Sequence, residues 1–235
     1  MTLIVYPCGP GRGDLLRYSL RSLAAAAGPV LPEVVLIGEI PSYIDRTALR
    51  VIPMVQRTDK FANVWRAWEV AGRLFDGEWW WFNDDFMIGA DLDVALVDAH
   101  RGPLQSFCDD LARRRDVGMY RTRAQAALDV LRAEGYAEPM NWEAHRPMRM
   151  RGGSAVWLAG DVCARHGLAP DKVAVRTLIA TLDGREAPAL PDPKNDDRSG
   201  VLAGPMVSLG PRAWRGNHGR LVREQFDKPS PWERE

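Results

Sequence analysis

The chain has 235 residues, of which 46% are hydrophobic and 26% are charged, and this composition excludes a disordered or fibrous protein. Lys plus Arg and Asp plus Glu are equal at 31 each, so no net field attracts nucleic acid or an anionic membrane surface, although a local basic patch is compatible with this balance. At this length we expect one domain with a sizeable core.

The first predicted elements are a strand, a loop and a helix. Residues 3–6 are a compact β-prone run, and the prolines and glycines of 7–13 predict a tight loop after it. From 14 to 27 leucines recur at helical spacing, with Asp14 as the expected N-cap and Gly28 as the stop signal.

Two strands and a second helix follow. Short apolar runs predict strands at 34–37 and 51–55. Thr58 or Asp59 can cap a helix over 60–75, in which aromatic and aliphatic residues supply an apolar stripe. Because strands and helices alternate, we expect an α/β fold with parallel strand pairing and right-handed crossovers.

The signals beyond Gly89 are weaker. Helices are expected at 104–114, 124–134 and 171–181, and a strand is expected at 117–120. The segment 187–204 is rich in Pro, Asp and Gly and predicts a long loop, of the kind that often forms a lid or a binding loop in enzymes.

The cysteines and the N-terminus bear on the compartment. Cys8, Cys108 and Cys163 are odd in number, widely spaced and contain no CxxC pair, so we expect neither a disulfide framework nor a structural zinc site. Residues 1–13 lack the basic and apolar regions of a secretory signal, and no window reaches the ~20 apolar residues that cross a bilayer. We therefore expect a cytoplasmic protein without a membrane span.

An aromatic strand that begins at Trp79 ends in three polar side chains, Asn83, Asp84 and Asp85. Ligands collect at the carboxyl ends of parallel strands, so we expect these side chains in a cleft. Adjacent carboxylates repel one another and need a cation or hydrogen bonds as compensation. Oxygen ligands with no nearby cysteine favour Mg²⁺ or Mn²⁺, which fills its shell with water and substrate phosphate.

The three polar residues can be given separate roles. Side-chain alternation along a strand predicts that Asn83 and Asp85 point one way and Asp84 the other. We assign Asp85 to the metal and Asp84 to a sugar or ribose hydroxyl. The alternative is a strand-end turn in which Asn and Asp cap backbone groups.

Several sequence blocks occur in the order and at the separation of a known family. They are DLLRYSLRSL at 14–23, IPSY at 40–43, KxxN at 60–63, FNDDF at 82–86, NWEAHRPM at 141–148, DPK at 192–194 and FDKPSPWE at 226–233. Together they resemble phage-encoded glycosyltransferases, which look related to the Stealth-type sugar-phosphate transferases of bacterial capsule synthesis. The resemblance covers most of the chain.

The resemblance implies a GT-A-like, Rossmann-related α/β fold, with a mostly parallel sheet flanked by helices and a C-terminal elaboration. It implies one glycosyltransferase domain over 1–235, with a nucleotide-sugar-binding half at 1–90 and an acceptor-side half at 91–235 that contains the loop 187–204. The acidic motif would hold Mn²⁺ or Mg²⁺ together with the diphosphate of a donor, for which a UDP-sugar is the first expectation. In a phage-encoded protein the compartment would be the cytoplasm of the host cell.

The loop after the first strand is a candidate anion site. Pro7, Cys8 and Gly9 precede a helix N-terminus, where backbone N–H groups and the helix dipole favour a phosphate. The loop matches neither the Walker nor the GxGxxG spacing, and an ordinary strand-to-helix turn is the alternative.

Four polar residues on the predicted helices are further binding candidates. Arg17 and Arg21 are one turn apart and could hold a diphosphate or a nucleobase carbonyl. Lys60 and Asn63 lie in the first turn of the second helix, where Lys can meet phosphate and Asn can read a uracil-like edge. All four residue types are also ordinary on solvated helix faces.

The second half contributes candidates for the reaction itself. We assign Asp192 or His145 to orienting or deprotonating an acceptor hydroxyl, and His218 to the metal shell of Asp85. Either histidine could instead take the other role, as a metal ligand or as a base near neutral pH. Lys194 could neutralise phosphate in the predicted loop. A surface histidine and a turn-forming Asp-Pro pair are the alternatives.

The tryptophans divide into two groups. The run 79–81 is expected in the core, on both faces of the sheet. Trp142 and Trp214 fall in predicted loops, where an indole could stack on a sugar or on a nucleobase, including one flipped out of DNA.

These features predict a metal-dependent transfer of a sugar from a nucleotide-sugar to an acceptor hydroxyl. A hydroxymethylated pyrimidine of phage DNA is one candidate acceptor, and a glycan or a protein is another. Transfer of a sugar-1-phosphate is the competing reaction, which product mass would separate. A non-catalytic sugar-binding module is the third hypothesis and predicts binding without turnover.

Overall fold

A computed structural model describes residues 2–10, 13–114, 118–196 and 204–234 of the chain. The described elements form a five-stranded sheet, a second sheet of three short strands, and helices around both.

The main sheet is mostly parallel. Its strands are β1 (Leu3–Cys8), β2 (Glu33–Gly38), β3 (Arg50–Pro53), β4 (Trp79–Trp81) and β6 (Met148–Met150), with β5 left to the second sheet. The strand order is β3-β2-β1-β4-β6, and every neighbouring pair is parallel except β4 with β6. The carboxyl ends of four strands therefore meet along one edge.

The second sheet begins directly after the acidic residues. It contains β5 (Phe86–Ile88), β7 (Lys194–Asn195) and β8 (Met206–Leu209). Strand β8 lies in the middle, antiparallel to β5 and parallel to β7. Segments that are distant in sequence are thus brought to the end of β4.

Helices cover the main sheet and surround the second sheet. They are α1 (Gly13–Ala27), α2 (Lys60–Leu74), α3 (Leu92–Ala95), α4 (Leu104–Arg113), α5 (Gly118–Ala133), α6 (Ser154–Arg165), α7 (Val175–Leu182), α8 (Pro211–Arg215) and α9 (Asn217–Gln225). The predicted α/β class, with a mostly parallel sheet flanked by helices and a C-terminal elaboration, is confirmed. The arrangement is consistent with the GT-A-like fold that the resemblance implies.

The alternation of side chains along β1 creates a core on each face of the sheet. Val5 packs into a cluster formed by helices α2 and α4 to α7. Ile4 and Tyr6 pack on the opposite face against α1 and the residues around β5. Because both faces are covered, β1 is apolar along its length, as buried parallel strands usually are.

The tryptophans of β4 belong to the core, as the sequence predicts. Trp81 stacks on Trp68 of α2 with ring centroids 3.9 Å apart, and Trp79 packs against the same ring at 5.6 Å. Both strand residues are almost completely buried. This aromatic cluster fixes α2 against the strand that carries the acidic residues.

Three local predictions need correction. Residues 118–120 begin helix α5 rather than a strand, because the apolar stripe of α5 packs on α4 and α7, and this tertiary contact overrides local β propensity; Val117 lies outside the described residues. The predicted helix at 171–181 is divided into a 3₁₀ turn at Pro170–Lys172 and α7. The predicted loop 187–204 contains β7, while 197–203 lie outside the described residues.

Two further findings concern the length of the helices and the state of the cysteines. In the described ranges, no helix combines the length and the apolar character needed to cross a bilayer. Cys8, Cys108 and Cys163 are buried free thiols, in agreement with the expectation of no disulfide framework.

The contact between α2 and the N-terminus of α6 makes a stability prediction. A Cβ atom at Gly153 would overlap the carbonyl oxygen of Gly72, whereas a Cβ at Gly160 would make an ordinary 3.5 Å contact with Trp65. We expect Gly153→Ala to lower the free energy of unfolding by about 1–3 kcal/mol through overpacking. Gly160→Ala should instead raise it by about 0.5–1 kcal/mol, because Ala is the better residue inside a helix.

Urea unfolding of both variants measures this difference. Equal stability of the two variants would contradict the close approach of α2 and α6.

Candidate active-site cleft

Two adjoining cavities open at the carboxyl edge of the main sheet. The larger one, called the main cleft, has a volume of about 780 Å³. The smaller one, called the side pocket, has a volume of about 370 Å³. Lys60, Asn83 and Asp84 line both cavities, so that one ligand could extend from one into the other.

The side pocket is built from the ends of parallel strands. Pro7, Cys8 and Gly9 line it after β1, and Ile37 and Met54 line it from β2 and the end of β3. The predicted loop residues therefore lie together beside the acidic motif. Burial raises the pKa of the Cys8 thiol and the nearby Asp84 charge adds to this effect, so Cys8 is a neutral wall of the pocket.

The acidic motif is a turn between two sheets. Residues 83–85 follow β4 and precede β5, and the N–H of Phe86 donates to the carbonyl of Asn83 at 3.3 Å. The predicted alternation of Asn83, Asp84 and Asp85 along a strand is therefore wrong, since the chain turns at that point. All three side chains line the main cleft.

Asp85 is buried and already paired with a cation. Asp85 is only 7% exposed to solvent. Lys194 Nζ donates to Oδ2 at 2.7 Å, and Ser208 Oγ donates to the same oxygen at 3.0 Å. Oδ1 has no hydrogen-bond partner among the described residues. The motif thus receives its compensation from β7 and β8.

The predicted divalent ion fits this arrangement poorly. The described part of the chain contains no group of three His, Cys, Asp or Glu side chains that could hold an ion, so an ion on Asp85 would have to complete its shell with water and substrate phosphate. A dication on Asp85 would lie beside the Lys194 ammonium and would be repelled by it. His218, the second predicted metal ligand, is fully buried and has its Nε2 3.3 Å from Asn195 Nδ2. It does not line the main cleft.

His145 and Asp192, which are 47 positions apart in sequence, are in contact in the structure. His145 lines the main cleft, and its Nδ1 lies 3.0 Å from Asp192 Oδ2. Asp192 also accepts from the backbone N–H of His145 at 3.0 Å and pairs with Arg101 at 3.0 Å.

The pKa of Asp192 indicates what its carboxyl group can do in this pair. Burial would raise the pKa of Asp192, but the hydrogen bonds from His145 and the charge of Arg101 outweigh burial and lower the pKa to about 2. Asp192 is therefore a poor base at neutral pH, and its carboxylate is placed to orient the imidazole of His145.

Arg17 and Arg21 hold the C-terminal segment and do not line the cleft. Arg21 donates to both oxygens of Glu233, at 2.8 and 2.9 Å, and to the carbonyls of Phe226 and Asp227. Arg17 lies 3.4 Å from the same carboxylate. The predicted diphosphate contact of these arginines is not supported, because their charges are compensated far along the chain.

The two candidates on α2 differ in availability. Lys60 is exposed, lines both cavities and donates to the hydroxyl of Tyr120 at 3.2 Å. Asn63 lines the side pocket, but its amide accepts from the N–H of Arg57 and donates to the carbonyl of Arg57, each at 2.7 Å. Asn63 therefore stabilises the loop before α2, and its predicted reading of a nucleobase edge is not supported.

The structure adds residues that carry no sequence signal. Each of them contacts a site residue that is distant in sequence: Ser208 contacts Asp85, 123 positions away, Tyr120 contacts Lys60, 60 positions away, and Arg101 pairs with Asp192. No sequence motif surrounds these three residues. Trp214 lies in α8 and not in the predicted loop, and it lines the main cleft. Trp142 is buried, so its predicted stacking on a ligand is not supported.

Comparison with known proteins adds little to this geometry. No family model and no curated protein matches the chain. Among solved structures, the apo form of the glycosyltransferase GlyE of Streptococcus pneumoniae TIGR4 is similar with a TM-score of 0.41 and 10% identity. The match covers 82% of this chain and 45% of the GlyE chain, so this chain spans less than half of that protein. At this level the likeness carries no argument about function.

The Glu233 contacts make a prediction about stability and pH. Burial would raise the pKa of Glu233, but the hydrogen bonds from Arg21 and Ser230 outweigh burial and lower the pKa below its ordinary 4.5. The contribution to stability is thus fully present above pH 4.5 and is lost as the pH falls through the lowered folded value. We expect Glu233→Gln to lower the free energy of unfolding at neutral pH by about 1–3 kcal/mol.

Denaturant unfolding at several pH values measures this contribution. The difference between the wild type and Glu233→Gln should shrink as the pH falls below the ordinary value. Glu224→Gln is the matched control, because Glu224 pairs with Arg220 and both side chains are 57% exposed, and such a pair contributes at most about 1 kcal/mol. A difference independent of pH would contradict the assignment to the Glu233 charge.

Proposed function

We propose that the protein is a glycosyltransferase that moves a sugar from a nucleotide-sugar to an acceptor hydroxyl. The observation that carries the proposal is the position of the acidic turn, residues 83–85, at the junction of the main cleft and a pocket formed by strand ends. Ligands of open α/β sheets bind at this edge. The resemblance of the sequence blocks to glycosyltransferases supports the same reaction.

The two cavities suit the two parts of a nucleotide-sugar. The side pocket, which is partly apolar, takes the nucleoside, and Asp84 lies where a ribose or sugar hydroxyl would pass. Lys60 stands between the cavities and meets the diphosphate. The volumes lie within the range of about 300–1,000 Å³ that is usual for small-molecule sites.

The sugar then lies in the main cleft, which His145 also lines. The acceptor oxygen bonds to the anomeric carbon, and the bond from that carbon to the diphosphate oxygen breaks with its electron pair on the diphosphate. The acceptor proton passes to the ring nitrogen of His145 that is not held by Asp192. The products are a glycoside and a nucleoside diphosphate.

Nucleotide release is the assay for the proposed reaction. Purified protein is incubated with a panel of nucleotide-sugars, UDP-sugars first, in Mn²⁺, in Mg²⁺ and in EDTA, which also tests the predicted cofactors. DNA with hydroxymethylated pyrimidines, glycans and protein are offered as acceptors. Product mass distinguishes the transfer of a sugar from that of a sugar phosphate.

The acidic turn supplies the first variant of this assay. We expect Asp84→Asn to reduce turnover strongly, because the carboxylate that meets a donor hydroxyl is lost. Asp110→Asn is the matched control, since Asp110 is exposed on α4 and pairs with the exposed Arg113. Unchanged turnover in Asp84→Asn, or turnover of no nucleotide-sugar by the wild type, would contradict the proposal.

The imidazole and its carboxylate make a separate prediction. We expect His145→Gln to lower kcat by roughly 10²–10⁴, the usual contribution of a general base. Asp192→Asn should lower kcat less, with KM nearly unchanged, because the base remains and only its orientation is lost. His166→Gln is the control, since His166 pairs with Glu134 and lies outside the lining of the main cleft. A normal kcat in His145→Gln would assign the base to another group.

A further inference from the structure

The buried carboxylate of the acidic turn has a lysine as its built-in counter-ion. Lys194 Nζ donates to Asp85 Oδ2 at 2.7 Å and to Ser208 Oγ at 3.2 Å. Ser208 in turn donates to the same Asp85 oxygen at 3.0 Å and is fully buried. The three groups form a closed triangle at the base of the main cleft.

The geometry leaves Lys194 able to act on a ligand. An ammonium group has three N–H donors, and the described contacts use two of them. The Lys194 side chain is 29% exposed and lines the main cleft. The remaining donor can therefore reach an anion in the cleft while the triangle stays intact.

Lys194 is also fixed through its backbone. Its N–H donates to Asp192 Oδ1 at 3.3 Å, and Asp192 is held by His145 and Arg101. One carboxylate thus sets the position of the lysine and of the imidazole together. A cation held in advance where negative charge develops needs no reorganisation during the reaction.

We propose that Lys194, alongside Lys60 at the junction of the two cavities, is the cation that meets the oxygen of the donor diphosphate at which the anomeric bond breaks, and that it takes the place of a divalent metal ion on Asp85. This inference rests on the proposed glycosyl transfer and names the cation that the transfer uses. When the anomeric bond breaks, the electron pair remains on the diphosphate oxygen, and the free N–H of Lys194 donates to that anion. Asp85 acts as a positioning residue that holds the ammonium in place.

The test measures binding of nucleoside diphosphates to the full-length protein by isothermal titration calorimetry. UDP, CDP, ADP, GDP and dTDP are the probes, and each is titrated in EDTA and in millimolar Mn²⁺. We expect the wild type to bind at least one of them in EDTA, with a Kd that Mn²⁺ changes by less than about threefold.

Substitutions of Lys194 test its contact with the diphosphate directly. Lys194→Gln should weaken binding in EDTA by roughly 10- to 100-fold, the change that corresponds to a lost hydrogen bond to a charged group. Mn²⁺ should then restore part of the affinity, because Asp85 is left without a counter-ion. Lys194→Arg keeps the charge and should bind more tightly than Lys194→Gln. Lys228→Gln, which removes an exposed lysine outside the cleft lining, should bind as the wild type does.

A double variant protects the test against loss of folding. Asp85→Asn combined with Lys194→Gln leaves no unpaired charge at the base of the cleft and is expected to keep the fold. It should bind weakly in EDTA and, unlike Lys194→Gln alone, gain nothing from Mn²⁺. Circular dichroism confirms folding of each variant before titration.

The outcomes separate the two proposals. Wild-type binding that disappears in EDTA and returns with Mn²⁺, together with normal binding by Lys194→Gln, would overturn the role of Lys194 and leave glycosyl transfer standing. Folded wild type that binds none of the probes in either buffer would overturn both. A response of Lys194→Gln to Mn²⁺ that the double variant lacks supports the replacement of the metal by the lysine.

Discussion

The charge of Asp85 is the constraint on which the site depends. A carboxylate that is almost completely buried is costly unless a cation and hydrogen bonds compensate it. Lys194 and Ser208 provide this compensation, and they come from β7 and β8, more than a hundred positions along the chain. The second sheet therefore supplies the ammonium and the hydroxyl group that compensate the buried charge of the acidic turn.

The segment that leads into β7 also positions other groups of the cleft. Asp192 lies two residues before Lys194, and it fixes His145 ahead of β6 and Arg101 ahead of α4. The segment from Asp192 to Lys194 thus fixes the positions of the Lys194 ammonium and the His145 imidazole relative to each other. Lys60 and Asp84 belong to the first half and separate the cleft from the side pocket. The side pocket is lined by residues of the first half alone, whereas residues of both halves line the main cleft.

A second buried carboxylate stabilises the edge of the molecule. Glu233 accepts from Arg21 and Ser230, and the neighbouring backbone pairs with the loop after β2 through Asp45 and Tyr43. The arginines that the sequence offers as ligands for a diphosphate are therefore structural. Lys194 differs from these arginines, because it lines the cleft and has an N–H donor that the described contacts do not use.

The sequence by itself determined the parallel pairing of the first strands, the capping of α2 by Thr58 or Asp59, the aromatic core around β4 and the exposure of residues 83–85 to a cleft, because periodicity and turn chemistry are local. The structure selected Asp59 as the cap and brought His145 and Asp192 together. Only the tertiary structure decided that Lys194 compensates Asp85, that Glu233 occupies Arg21 and that Asn63 is bound to Arg57. No local sequence pattern specifies the partners in these contacts. A charged side chain has the same sequence surroundings whether its partner in the folded protein is a ligand or a neighbouring residue.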